Sequence, residues 1–219
     1  MKLALALMLL AAPAHAQEAV TAATPLSDTD FYRLVSCAAP PGGACQKETV
    51  RWSATDANDV SIGIVATDVG YPATLAKLAD TALDAAIAQV NASGAKLRLT
   101  RSTNSVIPDI AIHLMAIRDG GKIRGTGRDP LDGTPIQAAW VQLWWRSDFS
   151  IIDGVIVFAM DISPADMASV MLEEVTQSMG LLTDINSRHY ETLSVFSETS
   201  NHVTKLGPQD IMTLRRHYP

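Results

Sequence analysis

The sequence predicts an α+β fold in which a mixed, twisted sheet carries one packed helix and is followed by a further helix. Three observations lead to this prediction. Short apolar segments with the alternation of β-strands recur between residues 50 and 160, an amphipathic helix interrupts them early, and a second helical pattern follows them. The opening order of strand, helix, strand and strand builds a mixed sheet with a helix on it.

Each element has its own sequence signal. The strand segments are residues 50–52, 60–65, 96–100, 109–114, 138–146 and 151–160. Residues 74–90 repeat apolar side chains at helical spacing, and Gly94 follows the end of this helix. Residues 118–134 are rich in Gly, Arg and Asp, so we expect an exposed loop there.

Residues 1–16 have the pattern of a secretory signal peptide. A charged start at Lys2 precedes a run of Leu, Ala and Met, which closes on Ala14-His15-Ala16. The apolar part is shorter than the roughly 20 residues that cross a bilayer, and no later segment offers such a run. We therefore expect cleavage after Ala16 and export to the periplasm or beyond, without a transmembrane segment in the mature protein.

Charge and length narrow the classes of function. The chain has 17 Lys and Arg against 23 Asp and Glu, for a net charge of −6, and it contains no basic cluster. This balance argues against nucleic acid as a partner. The roughly 200 residues that follow the signal peptide are within the size range of a single domain.

The two cysteines, Cys37 and Cys45, flank a segment rich in Pro and Gly that can only form a turn or loop. In an oxidising compartment they are expected to pair as a structural disulfide. A metal or redox pair is the alternative, but no other Cys or His flanks them. We expect residues 17–49 to form an N-terminal lead that carries this loop, with 17–30 loosely held, and residues 50–219 to form one domain.

A second helix is predicted from residue 163 to residue 179. Ser163 is a suitable N-cap with Pro164 in the first turn, and Gly180 ends the helix. Met, Val and Leu side chains define one apolar face, into which Glu174 projects. An ionised carboxylate in an apolar face costs several kcal/mol, so we expect Glu174 to have a partner or a raised pKa.

The same helix has the spacing of the zinc-protease motif His-Glu-x-x-His-x-x-Gly. Glu174 and Gly180 stand at the Glu and Gly positions, but Glu173 and Gln177 replace the two histidines that would bind zinc. Because Glu173 and Gln177 lie four residues apart, they share one edge of the helix. The alternative is that this edge is simply solvated.

The chain resembles a family of secreted bacterial proteins of unknown function that is related to the metzincin-like peptidases. The family motif is Glu-Glu-x-Thr-Gln-x-x-Gly-Leu, and the matching parts of this chain are residues 173–181, Asp184, 194–197 and 207–214. The resemblance covers roughly residues 50–219. It implies a zincin-like fold with a degenerate active-site helix and a terminal helix, and it implies no agreed activity.

The altered motif disfavours zinc. A Glu carboxylate and a Gln amide oxygen are hard donors that suit calcium or magnesium better. The third metzincin ligand would fall at Thr183, so Asp184, one position later, completes a weak candidate set with Glu173 and Gln177. We expect no metal, with calcium or magnesium as the open alternative. His189 and His202 follow in polar segments and are weaker candidates still.

Two hypotheses for function follow. The first is non-catalytic binding of a peptide or a cell-envelope protein, along the edge strand that receives substrate in peptidases. The second is a divergent metal- or water-dependent hydrolase, a peptidase, in which Glu174 is the general base. Glu173, Gln177 and Asp184 would then hold a hard cation or a water. Binding predicts an enclosed Glu174 bonded to the backbone, to Thr176 or to Arg188, whereas hydrolysis requires an open cleft above Glu174. Paired-carboxylate glycosidase and Gly-x-Ser-x-Gly hydrolase sites do not fit the sequence.

Overall fold

The computed structural model describes residues 18–103 and 107–219. The predicted signal peptide lies outside these residues. The strands are β1 (Glu18–Thr21), β2 (Arg51–Trp52), β3 (Val60–Thr67), β4 (Leu99–Arg101), β5 (Ile110–Leu114), β6 (Ala139–Trp145), β7 (Ser150–Phe158) and β8 (Thr183–Asn186). The helices are α1 (Asp28–Cys37), α2 (Ala73–Ala92), α3 (Met167–Gln177) and α4 (Pro208–His217).

A mixed, six-stranded sheet forms the centre of the protein. Strands β2, β7, β5, β3 and β4 are parallel in that order, and β6 is antiparallel to β7. Ile151 of β7 pairs with Trp52 of β2 on one side and with Trp145 of β6 on the other. Strand β2 therefore lies on the same side of β7 as β5, and β6 lies on the opposite side. The predicted α+β fold with a mixed sheet is therefore confirmed.

Helices α2 and α3 pack against each other over one face of the sheet. The spacing of residues 74–90 predicted α2 to within two residues at each end. Alternate strand positions such as Ile110, Ile112 and Ile156 point into this main core, because successive side chains of a strand face opposite ways. The sheet thereby fixes α3, and with it the Glu-Glu motif, beside β6.

The opposite face of the sheet is covered by the loop between β5 and β6. Ile123, Leu131 and Ile136 of this loop are buried against Trp140 and Val157 of the sheet. Most of residues 118–134 are exposed, as expected, but Ile123 and Leu131 are buried and give the loop a part in the core. Scattered apolar residues among Gly, Arg and Asp are enough to cover a sheet face, although they show no regular period.

The carboxylate of Asp132 organises this loop. It accepts hydrogen bonds from the backbone N–H groups of Gly125, Thr126 and Gly127 and from the Thr126 hydroxyl. The hydroxyl bond is the largest cause that lowers the pKa of Asp132. The loop is thus held by one side chain that satisfies several backbone donors.

The N-terminal segment is not a loosely held lead. Strand β1 pairs in parallel with β8, and Phe31 and Leu34 of α1 are fully buried in the main core. Ser27 caps α1 by accepting the Asp30 N–H at 3.1 Å, a local signal just ahead of Phe31. One continuous core therefore extends across the expected boundary at residue 50.

The predicted disulfide between Cys37 and Cys45 is confirmed, with the two Cα atoms 5.2 Å apart. The backbone N–H groups of Gln46 and Lys47 donate to the carbonyl of Cys37, which ties the loop back to the end of α1. Disulfides are typical of proteins in oxidising compartments. Within the described ranges, no helix combines the length and apolar character needed to cross a membrane.

Candidate functional site

Helix α3 begins four residues later than predicted. Ser163 is not its N-cap: the Ser163 carbonyl accepts the Asp166 N–H at 3.0 Å, and the Ser163 hydroxyl accepts the Ala165 N–H at 3.2 Å. These bonds close a tight turn, after which α3 starts at Met167. Ser163 therefore caps the turn before the helix and not the helix itself.

The other end of α3 is fixed by close backbone contacts. The helix ends at Gln177, and Gly180, with φ of 92°, donates its N–H to the Gln177 carbonyl at 2.8 Å. A Cβ at residue 180 would lie 2.0 Å from the Val50 carbonyl oxygen. Gly180 thus follows the end of the helix, as predicted, and the approach of Val50 requires glycine there.

The C-terminus and β2 hold the turn at the end of α3. The Tyr218 hydroxyl donates to the Met179 carbonyl at 2.7 Å and accepts the Trp52 N–H at 3.1 Å. The Trp52 indole N–H donates to the Ser178 carbonyl at 3.1 Å. These bonds satisfy carbonyls that the helix leaves open at its end and keep α3 in place beside the sheet.

Glu174 is enclosed, with 4% of its surface exposed. Its Oε2 atom has no hydrogen-bond partner among the residues that the structure describes. The expected bond to Thr176 is not formed, because the Thr176 hydroxyl donates to the Leu172 carbonyl at 2.6 Å, and Arg188 is exposed. Burial and then the charge of Asp184 raise the pKa of Glu174 to about 8.

Gln177 and Asp184 form a direct pair between α3 and β8. The Gln177 amide donates to Asp184 Oδ1 at 2.7 Å, and both residues are buried, with 2% and 3% of their surfaces exposed. Gln177 is therefore not part of a solvated helix edge. Burial and the charge of Glu198 raise the pKa of Asp184 to about 8, while the Gln177 bond and the Lys47 charge work in the opposite direction.

Glu173 lies beside this pair and is half-buried. Burial, followed by the charges of Asp184, Glu174 and Glu198, raises the pKa of Glu173 well above its ordinary value. The four residues that the sequence singled out, Glu173, Glu174, Gln177 and Asp184, thus come together in one cluster. Close carboxyl groups in a poorly solvated site favour the protonated form.

A cavity of about 180 Å³ is lined by Glu173, Glu174 and Asp184. Its walls come from α3, the start of β6, β8 and the segment 197–201, and the exposed side chains of Gln137 and Glu198 stand on its rim. The three acidic residues therefore line a shared space that reaches the surface, which is what the hydrolase hypothesis requires. The expectation for binding is met only in part, because Glu174 is buried but its Oε2 has no bond to the backbone, to Thr176 or to Arg188.

Sequence reasoning missed Ser197, Glu198 and Lys47 as parts of this site. Ser197 is 2% exposed and lines the cavity, and its Oγ has no partner among the described side chains and backbone groups. It arrives there because the Ile185 N–H donates to the Phe196 carbonyl and the Glu198 N–H donates to the Ile185 carbonyl. Residues 194–197 were noted only as part of the family resemblance, with no role.

The donors at the cavity do not fit zinc. Imidazole and thiolate are absent from its lining, and Gln177 directs its N–H at Asp184. Over residues 18–103 and 107–219, no group of three or more His, Cys, Asp and Glu side chains is arranged to hold a metal ion. Calcium or magnesium at Glu173, Gln177 and Asp184 gains no support from this arrangement.

Other buried ionisable groups have structural partners elsewhere. Asp210 accepts the Ser194 hydroxyl and the Val195 and Gly207 N–H groups, and burial raises its pKa to about 6. His217 Nε2 lies 3.0 Å from the Val50 carbonyl oxygen, and burial lowers the pKa of its imidazole to about 4. His189 and His202 are exposed and do not line the cavity.

Comparison with known proteins adds no relative. No protein-family model matches the chain, and no curated protein matches it significantly.

Proposed function

We propose that this protein is an exported, non-catalytic binding protein with a zincin-like fold, and that its cavity receives part of a peptide segment from a cell-envelope partner. The observation that carries this proposal is the cavity itself. Glu174 and Ser197 both line a space that reaches the surface, and each carries a buried polar atom without a partner among the described residues. Buried polar groups are normally hydrogen-bonded, so an unpartnered pair at a cavity points to a ligand.

The position of the cavity supports a peptide as the ligand. Ala138 and Ala139, at the start of β6, form one wall, and the Glu-Glu motif of α3 forms the opposite wall. In the metzincin-like peptidases to which the resembled family is related, an edge strand receives the substrate chain. Extended peptides are recognised by pockets for individual side chains beside a strand.

The size of the cavity also supports the proposal that its ligand is one side chain of a larger partner. Pockets for complete drug-sized ligands have volumes of about 300–1,000 Å³. At about 180 Å³, this cavity has room for one side chain.

The raised pKa of Glu174 fits both hypotheses, but it gives them different pH dependence. A general base has to be ionised, yet with a pKa of about 8 Glu174 keeps its proton at neutral pH. The alternative, a divergent hydrolase with Glu174 as general base, would therefore work best in alkaline solution. At neutral pH the same carboxyl serves better as a hydrogen-bond donor.

The test uses residues 17–219 of the chain to select ligands from a random peptide library. The peptides are acetylated at the N-terminus and amidated at the C-terminus. We expect selected peptides to bind the wild type and to bind about tenfold more weakly to Ala138→Phe, whose larger side chain fills the cavity. Ala165→Phe, at an exposed position in the turn before α3, is the matched control and should bind like the wild type.

Failure to select any peptide, or equal binding by Ala138→Phe, would contradict the proposal. To test the hydrolase alternative, the selected peptides are incubated with the protein near pH 9 and analysed by mass spectrometry. Cleavage that is lost in Glu174→Gln would replace the binding proposal with the hydrolase.

A further inference from the structure

We infer that the group this cavity takes is a cationic side chain, lysine or arginine, of the bound peptide. This inference rests on the proposed function and names the ligand chemistry of the same site. It combines three independent features of the cavity: its charge, its unpartnered polar atoms and its size.

The acidic side chains outnumber the basic ones around the cavity. Glu173, Glu174 and Asp184 line its interior and Glu198 stands at its rim. The charges that act on these carboxyl groups are negative, apart from the positive charge of Lys47 that acts on Asp184. The chain as a whole carries a net charge of −6, so long-range attraction also favours a cationic partner.

Ser197 provides an observation that is independent of the acidic cluster. Ser197 lines the cavity with 2% of its surface exposed, and its Oγ has no partner among the described residues. Glu174 Oε2 is likewise buried without a partner in a residue of the same lining, and its carboxyl group becomes an acceptor once a bound cation displaces its proton. An ammonium or guanidinium group carries several N–H donors and no acceptor, which matches this arrangement.

The geometry of the carboxyl groups favours an organic cation over a metal ion. Among the described residues, no three Asp, Glu, His or Cys side chains are arranged to hold a metal ion. A guanidinium or ammonium group on a flexible side chain tolerates donors and acceptors spread around a cavity. Hydrogen bonds to ionised partners are also roughly twice as strong as neutral ones.

Protonation of the cavity links binding to pH. The groups that face it are Glu173, Glu174, Asp184, Glu198 and, through its charge on Asp184, Lys47. Burial raises the pKa of all four carboxyl groups, and it reaches about 8 for Glu174 and Asp184, so these two hold protons in the empty cavity at neutral pH. A bound cation favours the ionised carboxylate, so binding must expel protons, and the affinity must rise with pH.

The experiment starts from the peptide selection and asks whether one position is enriched in lysine or arginine. A selected lysine peptide is then compared with the same peptide carrying Nε-acetyl-lysine, by calorimetric titration between about pH 6 and pH 8. We expect the lysine peptide to bind at least about tenfold more tightly near pH 8, since hydrogen bonds to charged groups are the stronger class. The advantage should shrink near pH 6, and titrations in two buffers should show proton release.

Variants assign the effect to the cavity. Glu174→Gln combined with Asp184→Asn should remove most of the advantage of lysine over acetyl-lysine. Asp84→Asn, which removes an exposed carboxylate on α2, should leave that advantage unchanged. If the double variant fails to fold, Ser197→Ala is the second test, and we expect it to weaken the lysine peptide severalfold.

Several results would overturn the inference. Three of them leave the proposed function intact. These are selected peptides without lysine or arginine, equal binding of the acetyl-lysine peptide, and an affinity that falls with rising pH. Binding of n-butylammonium alone as tightly as the peptide would overturn the assignment to a peptide side chain. Selection of no peptide would overturn both the inference and the proposed function.

Discussion

Gln177 and Asp184 are joined by a hydrogen bond of 2.7 Å between the Gln177 amide and Asp184 Oδ1, in a buried position where α3 meets β8. The side chain at the second histidine position of the zinc-protease spacing thus supports a neighbouring carboxyl group. A glutamine suits this role because its amide offers two N–H donors and remains uncharged.

The first prediction concerns this pair. Gln177→Ala leaves Asp184 buried without its donor, so we expect the free energy of unfolding to fall by about 1–3 kcal/mol. Urea unfolding near pH 7 measures the loss. In a double-mutant cycle with Asp184→Ala, we expect a coupling energy above about 0.5 kcal/mol, because the two residues are in contact. Additive effects would show that the bond contributes nothing to stability.

The second prediction is that the protein becomes less stable as the pH rises from about 5 to about 8. The folded-state pKa values of Glu174 and Asp184 are about 8, above their ordinary values of 4.5 and 3.8. Within this window the folded protein keeps protons that the unfolded chain releases, so deprotonation favours unfolding. Each such group contributes at most about 1.4 kcal/mol per pH unit.

Urea unfolding at a series of pH values measures this dependence. The matched control is Glu174→Gln combined with Asp184→Asn, which removes both ionisable groups and should make the fall with pH less steep. A wild-type profile that is flat, or that rises with pH across this window, would contradict the raised pKa values.

The third prediction concerns the end of α3. Gly180→Ala forces a Cβ to within 2.0 Å of the Val50 carbonyl oxygen in a left-handed backbone conformation. We expect a loss of more than about 2 kcal/mol in the free energy of unfolding. Gly133→Ala is the control, since its φ of 101° is similar but no atom lies within 4 Å of the new Cβ. Equal losses for the two variants would show that the approach of Val50 is unimportant.

The fourth prediction concerns the disulfide. Cys37→Ser with Cys45→Ser opens a short loop, so we expect a loss of no more than about 3 kcal/mol and a protein that still folds. Chemical denaturation of the oxidised wild type and of the double variant tests this. An unfolded double variant would show that the bridge supports the whole domain and not only the end of α1.

Local periodicity carried most of the successful sequence predictions. The α2 helix follows from apolar spacing, and Glu173, Glu174 and Gln177 share a cluster because residues three and four apart are neighbours on a helix. The disulfide follows from two cysteines around a short loop. The missed parts depend on contacts between distant segments. Ser197 reaches the cavity only because residues 196–198 hydrogen-bond to Ile185 of β8.

Two errors have simple physical causes. Residues 17–30 looked loose because Ala, Thr and Asp dominate them, but β1 gains its stability by pairing with β8. Ser163 looked like an N-cap because a cap and a tight turn use the same side chain to accept a backbone N–H. In both cases the deciding bond is formed by a partner that local sequence patterns do not identify.

The most direct test of the cationic-ligand site is the pKa of the Glu174 carboxyl group with and without ligand. Carbon-13 NMR of glutamate-labelled protein, assigned with Glu174→Gln, gives this value by pH titration. We predict a midpoint near 8 in the free protein. Saturation with the selected lysine peptide should lower it by at least about one unit, since a nearby cation favours the ionised form. A midpoint below about 5 in the free protein, or one that the peptide leaves unchanged, would contradict the account.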